Sequence, residues 1–490
     1  MASRRFGLAP VVVMLAALSV VAGCRRGPVA AASGPAGVLT EEDCPEGAEP
    51  PVRCARLSVF ENRATKSGRT IPLRIVVLRA RDPNRLPDPV FYLAGGPGQA
   101  ATELIRLRTA YALRSTRDVV FVDQRGTGGS NGLTCAFYGP PHDVQSYFDQ
   151  FLPPAKVRAC RQDLEARADL AQYTTANAAD DLDEVRAALG YDRINLIGGS
   201  YGTRLAMEFV RRYEPRVRTV ILDGAVATSS HMPERFGQRA QRALDALLEE
   251  CAADSGCRGA FPSIREEAKA VFQRLAAEPA RVSLSHPAGL RAAEIVMTRE
   301  NAAEAIRYMT YSSRDASNVP LYLHSAYQGN FAPIAAFLLR HRADGSFDGL
   351  YLSATCTEDV PFVAAGAERE DEATYLGSYR IREQRAACTD WPGGAKPEWL
   401  NRPVASQVPV LLISGALDPV TAPAEAADVA ASLPRALHVT VPFGGHSYNG
   451  LSGLECVDRL RNEFIARGSA DGLDTQCLAR ISRPGFALQH

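Results

Sequence analysis

The chain carries no surplus of charge of either sign: 55 Lys and Arg face 55 Asp and Glu. It therefore projects no net field that would gather nucleic acid or an anionic membrane surface. No Lys/Arg-rich face is clustered anywhere along it, so nucleic acid is not an expected partner. Internal repeats are lacking, and the one markedly apolar stretch, Leu8 to Ala22, is short for a bilayer span. No cysteine pair stands at zinc-ligand spacing with histidines nearby, so neither a metal nor another cofactor is expected. Histidine is scarce, with eight in 490 residues, which narrows the search for a general base. What remains is a chain that is 46% hydrophobic, able to bury a large core in two or three folding units at roughly 150 residues per domain.

Arg4 and Arg5, the apolar stretch behind them and Val21-Ala22-Gly23-Cys24 read as an export signal over residues 1–24 rather than a folded helix. Small residues directly before Cys24 resemble the lipobox of bacterial lipoproteins. That resemblance implies lipidation of Cys24, a bacterial cell-envelope location on the periplasmic or extracellular side, and membrane attachment through the lipid alone. Arg25 in place of aspartate leans, by the same resemblance, towards the outer membrane. Ser3-Arg4-Arg5 adds a hint of twin-arginine export. Residues 25–43, rich in Ala, Gly and Pro, are expected to be a flexible tether. Of the 11 cysteines, ten remain once Cys24 is set aside, an even number that favours disulfides in an exported protein. Neighbours close short loops at low entropy cost. The pairs proposed on that ground are Cys44/Cys54, Cys135/Cys160, Cys251/Cys257, Cys356/Cys388 and Cys456/Cys477.

After the tether, apolar β-rich runs alternate with helical ones: Arg56 to Phe60, Leu73 to Leu78, Val90 to Leu93, Val119 to Val122, Ile194 to Ile197 and Val217 to Leu222. Continuous apolar strands separated by helices such as Ala178 to Leu189 and Arg204 to Tyr213 predict a mostly parallel sheet covered on both faces. From 227 to 400 helical stretches, Arg239 to Glu250 and Ile264 to Ala277 among them, follow one another with hardly a strand between. This predicts an inserted helical cap. Strands resume with Val408 to Ile413 and His438 to Val441, so residues 44–226 and 401–490 are expected to complete one core together.

Ile194 to Thr203 reads strand, Gly198-Gly199-Ser200-Tyr201-Gly202, helix. Such a turn holds Ser200 in a strained conformation at a helix N-terminus, and the flanking glycines remove side chains that would strike the neighbouring strand and helix. A serine hydroxyl needs a base to take its proton and a carboxylate to orient that base. His446, in Phe443-Gly444-Gly445-His446-Ser447, follows the last apolar strand, and Asp418, in Ser414-Gly415-Ala416-Leu417-Asp418-Pro419, follows the strand before it. The chain order Ser200, Asp418, His446 is that of the α/β-hydrolase fold, where strand ends gather the reactive groups. Leu93-Ala94-Gly95-Gly96-Pro97-Gly98 closes the third strand where an oxyanion loop belongs. The backbone amides of Gly96 and Tyr201 are the candidates to receive the developing negative oxygen.

Together, Gly95-Gly96-Pro97-Gly98, Asp123-Gln124-Arg125-Gly126-Thr127-Gly128-Gly129-Ser130 and Gly198-Gly199-Ser200-Tyr201-Gly202 resemble the proline iminopeptidase and tripeptidyl aminopeptidase family of serine exopeptidases. The stretch Val408 to Asn449 is similar to its exported, cysteine-rich tripeptidyl members. The resemblance implies an α/β-hydrolase core under a cap that admits peptide chain ends. It further implies peptide substrates, a supporting role for Asp123 and Arg125, and acidic cap residues that bind the substrate ammonium. Glu358 and Asp359, beside Cys356, are the candidates for that last role. Ala94 departs from the family, in which proline iminopeptidases carry histidine, so proline specificity is not implied. A carboxylesterase or lipase of the same fold is the alternative enzyme, since only the cap decides between them. A catalytically silent binding lipoprotein is the alternative outside enzymes.

Overall fold

In the computed structural model, residues 36–45, 47–285, 291–343 and 345–489 are described. The expected signal, Cys24 and most of the tether lie outside them. The apolar runs form strands β1 (Leu39–Glu41), β2 (Val52–Phe60), β3 (Thr70–Leu78), β4 (Val90–Leu93), β5 (Val119–Val122), β6 (Ile194–Gly199) and β7 (Val217–Asp223). A hairpin, β8 (Ala280–Leu284) and β9 (Ala293–Met297), stands apart, and β10 (Val410–Gly415) and β11 (Ala436–Val441) follow. Apart from the hairpin, they make a nine-stranded sheet in the order β1-β2-β3-β5-β4-β6-β7-β10-β11. β1, β2, β3 and β5 pair antiparallel, and the six from β5 to β11 pair parallel.

The sheet is apolar on both faces because both are covered. In β3, Leu73, Ile75 and Val77 point into one core while Val76 and Leu78 point into the other, the two-residue alternation of a strand. Helices Thr175–Ala188 and Tyr201–Tyr213 cover the first face through Ala178, Leu182, Val185, Leu205 and Phe209. Helix Glu455–Arg467 covers the second through Val457, Phe464 and Ile465. Thr174 caps the first of these helices, its side chain accepting from the Asn177 amide, which satisfies a donor the helix cannot.

Between β7 and β10 lie the helices Phe236–Ala253, Ile264–Ala277, Arg299–Met309, Val319–Tyr327, Ala332–Ala343, Asp348–Glu358 and Tyr379–Asp390. Their apolar core also takes in Tyr201, which opens the helix after β6, and Leu417 and Val420 from the loop after β10, so the inserted helices rest directly on the strand ends. Two features depart from the sequence reading. Leu39–Glu41, placed in the tether, is an edge strand paired with Ala55 to Leu57. The β8–β9 hairpin interrupts the helical stretch, its Val282, Leu284, Ile295 and Met297 buried and the residues between them exposed.

The structure pairs Cys44–Cys54, Cys135–Cys160, Cys251–Cys257, Cys356–Cys388 and Cys456–Cys477, each with its neighbour in the chain as expected. Five such bonds are consistent with an exported protein, since they persist in oxidising compartments. No helix among the described residues is long and apolar enough to cross a membrane.

Candidate active site

The Gly-x-Ser-x-Gly spacing is a steric requirement. A Cβ on Gly198 would stand 2.4 Å from the Gly202 carbonyl oxygen, and one on Gly202 would stand 2.3 Å from that of Leu93. Glycine at both positions lets helix Tyr201–Tyr213 start directly off β6 and close against β4. The turn between them puts Ser200 at φ 54°, ψ −124°, a left-handed conformation that costs a non-glycine residue about 1–3 kcal/mol and persists only where its surroundings enforce it. Enforcement comes from β7, whose last residue, Asp223, accepts the Ser200 amide at 2.9 Å.

The histidine and its carboxylate arrive from the neighbouring strand ends. Asp418, 1% exposed, lies just past β10. Its Oδ1 accepts the amides of Val420 (2.7 Å) and Thr421 (2.8 Å), while its Oδ2 accepts the Thr421 hydroxyl (2.7 Å) and pairs with His446 Nδ1 at 2.8 Å. Burial alone pulls the His446 imidazole down. The Asp418 charge and hydrogen bond outweigh it and hold the ring above the ordinary histidine value. Burial likewise pushes Asp418 up, and His446 and Thr421 bring it below the usual aspartate range. The pair meets the elbow at Gly224, immediately after Asp223, where a Cβ would lie 3.5 Å from His446 Cε1 and 3.7 Å from Asp418 Oδ2. With Nδ1 engaged by Asp418, Nε2 is the ring nitrogen left to accept a proton. Ser200 and His446 share no hydrogen bond among the described residues, and a catalytic pair of this kind can close only when the reacting group is engaged.

The glycine loop after β4 lies against Ser200. A Cβ on Gly95 would be 3.1 Å from Ser200 Cβ and 3.7 Å from its Oγ, and Gly96 has φ +109°. Among the described residues the Gly96 amide has no backbone acceptor, and the Tyr201 amide opens a helix, where none is supplied from within. Gly96 follows the glycine that touches Ser200, and Tyr201 follows Ser200 itself. Asp123 and Arg125 hold the loops around them. Asp123 accepts from the amides of Thr102 and Gly129 at 2.9 Å each. Arg125, fully buried, forms a two-pronged pair with Asp181 at 2.6 and 2.7 Å.

Glu358 and Asp359 are 3% and 1% exposed, and both already have partners. Asp359 is paired with Arg204 at 2.8 Å. Glu358 accepts the Thr175 amide (2.7 Å) and hydroxyl (2.5 Å), and that hydroxyl also meets the Tyr201 phenol at 2.7 Å. Burial, opposed by Arg204 and Thr175, pushes Glu358 up to about 7. Both carboxylates are thus tied to the two helices that carry Thr175 and Arg204.

Three neighbours of the site carry no motif in the sequence. Thr421 Oγ1 touches Asp418 and stands 3.2 Å from His446 Nδ1. Tyr311, from the inserted helices, sets its ring edge-on to His446 at 5.1 Å. Tyr448 donates to Asp223 Oδ1 at 2.6 Å, tying the histidine loop to the strand that holds Ser200. A threonine three residues after the aspartate, able to cap its own turn, is the one signal that could have been read.

This arrangement is that of an alpha/beta hydrolase: residues 88–449 match that fold family, and the chain belongs to it. Within the family it is similar to serine protease Hip1 of Mycobacterium tuberculosis, 24% identical over 332 residues that cover 63% of this chain and 62% of that one. It is also similar to a tripeptidyl aminopeptidase of Streptomyces coelicolor, 27% identical over 226 residues, 42% of this chain and 41% of the other. The longest of these three matches is to carboxylesterase B of Mycobacterium tuberculosis, 26% identical over 465 residues, 87% of this chain and 86% of the other. The first relative is thus matched over a little under two thirds of its own length.

Proposed function

We propose that the chain is a serine exopeptidase, an exported aminopeptidase that removes N-terminal residues or short N-terminal peptides through an acyl-enzyme on Ser200. The observation that carries the reading is the Asp418–His446 bond at 2.8 Å beside a serine held on a strained elbow. Ser200 attacks the scissile carbonyl while His446 takes its proton and Asp418 stabilises the imidazolium. The amides of Gly96 and Tyr201 hold the tetrahedral oxyanion. His446 then passes the proton to the leaving amine, and water, activated by the same imidazole, releases the acyl group. Helices packed over the strand ends restrict entry to chain termini, and two of the relatives named above are a serine protease and a tripeptidyl aminopeptidase. Lipidation at Cys24 would keep the enzyme at the envelope surface. Labelled fatty acid should enter the wild type and not Cys24→Ala.

A fluorophosphonate should label the folded protein and fail to label Ser200→Ala. Free-amine peptides should turn over faster than their N-acetylated forms and than short-chain esters. Equal turnover of blocked peptides and esters would defeat the exopeptidase reading. One observation favours a second reading, a carboxylesterase: Asp359 is neutralised by Arg204 and Glu358 is held by Thr175, so neither offers a free carboxylate to an ammonium group.

A further inference from the structure

A row of aromatic rings leads from His446 to the surface of the inserted helices. Tyr311 meets the imidazole at 5.1 Å, and Tyr308 meets Tyr311 at 5.1 Å. His341 lies 3.7 Å from Tyr308, and Phe337 stacks parallel to His341 at 6.4 Å. Tyr311, Tyr308 and Phe337 are half-buried and His341 is exposed, so the row begins at the reacting centre and ends in solvent. Tyr308, Tyr311 and Phe337 also pack against the core of the inserted helices, and the row continues past that core to an exposed ring.

The near end is fixed to the catalytic loop. The Ser447 amide donates to the Tyr311 carbonyl (2.7 Å), the Arg314 amide to that of Asn449 (3.0 Å), and the Ser313 hydroxyl to that of Phe443 (2.6 Å). Beneath the rings lies the Arg307 guanidinium, 4.6 Å from the Tyr308 centroid and 5.3 Å from that of Tyr311. It is clamped by Glu304 at 2.9 and 3.1 Å and donates to the Tyr311 phenol at 2.7 Å. One side of each tyrosine is thereby covered and the pair is held rigid, as a preformed binding surface requires.

The chemistry says which part of a substrate meets this row. When the C–N bond breaks, the acyl carbon stays on Ser200 Oγ and His446 gives its proton to the departing nitrogen. The residue carrying that nitrogen therefore passes beside the imidazole. We infer that Tyr311, Tyr308, His341 and Phe337 form the leaving-side subsite, which takes an aromatic or large apolar side chain on the residue that follows the cut. The inference rests on the exopeptidase reading, in which the remainder of the peptide must extend from the site into solvent, as the row does.

The test uses the full-length enzyme and three substrates sharing one N-terminal acyl portion: a peptide with Phe after the cut, a peptide with Gly there, and the methyl ester, which has no leaving-side residue. Wild type should favour Phe over Gly by roughly three- to tenfold in kcat/KM, the range of one or two aromatic contacts. His341→Ala and Tyr308→Leu should erase that ratio and leave the methyl ester unchanged. His341 is exposed, so its variant stays informative should Tyr308→Leu fold poorly. A wild type indifferent to Phe and Gly, or variants that slow the methyl ester equally, would overturn the inference. N-acetylated versions of the same peptides read out the exopeptidase claim separately, because the Phe-to-Gly ratio can be measured whether or not a free amine is required.

Discussion

Replacing Asp418 by Asn should cripple the enzyme without disturbing its fold, and the hydrogen bonds around the carboxylate say why. Oδ1 accepts two backbone amides, from Val420 and Thr421, so an amide NH₂ cannot occupy that position without opposing two donors. The asparagine nitrogen is therefore forced to the Oδ2 position, facing His446 Nδ1. A donor there requires Nδ1 to be an acceptor, which moves the ring proton to Nε2, the nitrogen that must receive the Ser200 proton. The expected loss is roughly 10³- to 10⁴-fold in kcat/KM, the scale of a tautomer reversal in such a relay. The pH profile adds a signed test. In the wild type the base must be neutral, so kcat/KM should rise with pH through an apparent pKa above the ordinary histidine value, where the Asp418 charge holds the ring. In Asp418→Asn that charge is gone and burial is left to act, so the acid limb should move to lower pH. Titrating active sites with a fluorophosphonate, then measuring kcat/KM from pH 5 to 9, checks both. A loss under tenfold, or an acid limb that does not move, would refute the reasoning and turn attention to Asp223, whose charge also reaches the ring.

Other outcomes follow from single contacts. Gly202→Ala would push a methyl to within 2.3 Å of the Leu93 carbonyl and 2.7 Å of that of Ala94, backbone atoms that cannot swing aside. Urea unfolding should show a cost of about 1–3 kcal/mol, with slower labelling of Ser200. Arg125→Leu would leave the buried Asp181 with only Arg63, at 3.6 Å, and should cost less than the about 3–5 kcal/mol of a fully unpaired buried charge, part of it recovered in Arg125→Leu/Asp181→Leu. Glu358 has a folded pKa of about 7 against 4.5 for the free side chain. The folded state thus holds a proton that the unfolded chain releases, a contribution complete below about pH 4.5 and lost as pH rises through about 7. Glu358→Gln does not titrate, so its unfolding free energy should lack that fall, worth at most about 3 kcal/mol between pH 5 and 8 at about 1.4 kcal/mol per decade. Parallel pH profiles in the two proteins would sink that assignment.

Much of the site was legible in the sequence because its chemistry is written in local backbone constraints. Gly198 and Gly202 are dictated by atoms within the elbow and the adjoining strand. Asp418 and His446 stand just past apolar runs that can only be strands, and the cysteines pair with their chain neighbours. Glu358 and Asp359 stand apart from this, because an acidic pair beside a bridged cysteine has no local signature that separates a ligand site from a structural one. Their partners, Thr175 and Arg204, lie 183 and 155 positions away, and no pattern along the chain announces a contact across that distance. The short edge strand β1 escaped for a related reason: three residues show no periodicity, and pairing with β2 defines them.

By itself, then, the chain order determined the strand-turn-helix that strains Ser200, the placing of Asp418 and His446 after successive strands, and the disulfide framework, because each depends on neighbours a few residues to some tens of residues apart. Only folding in three dimensions decided that Thr421 joins the Asp418–His446 pair, that Tyr311 borders the imidazole, and that both candidate ammonium ligands are occupied. Those outcomes depend on which buried charges and rings the packed helices leave each other as partners. A desolvated group must find its counterpart wherever the fold brings one.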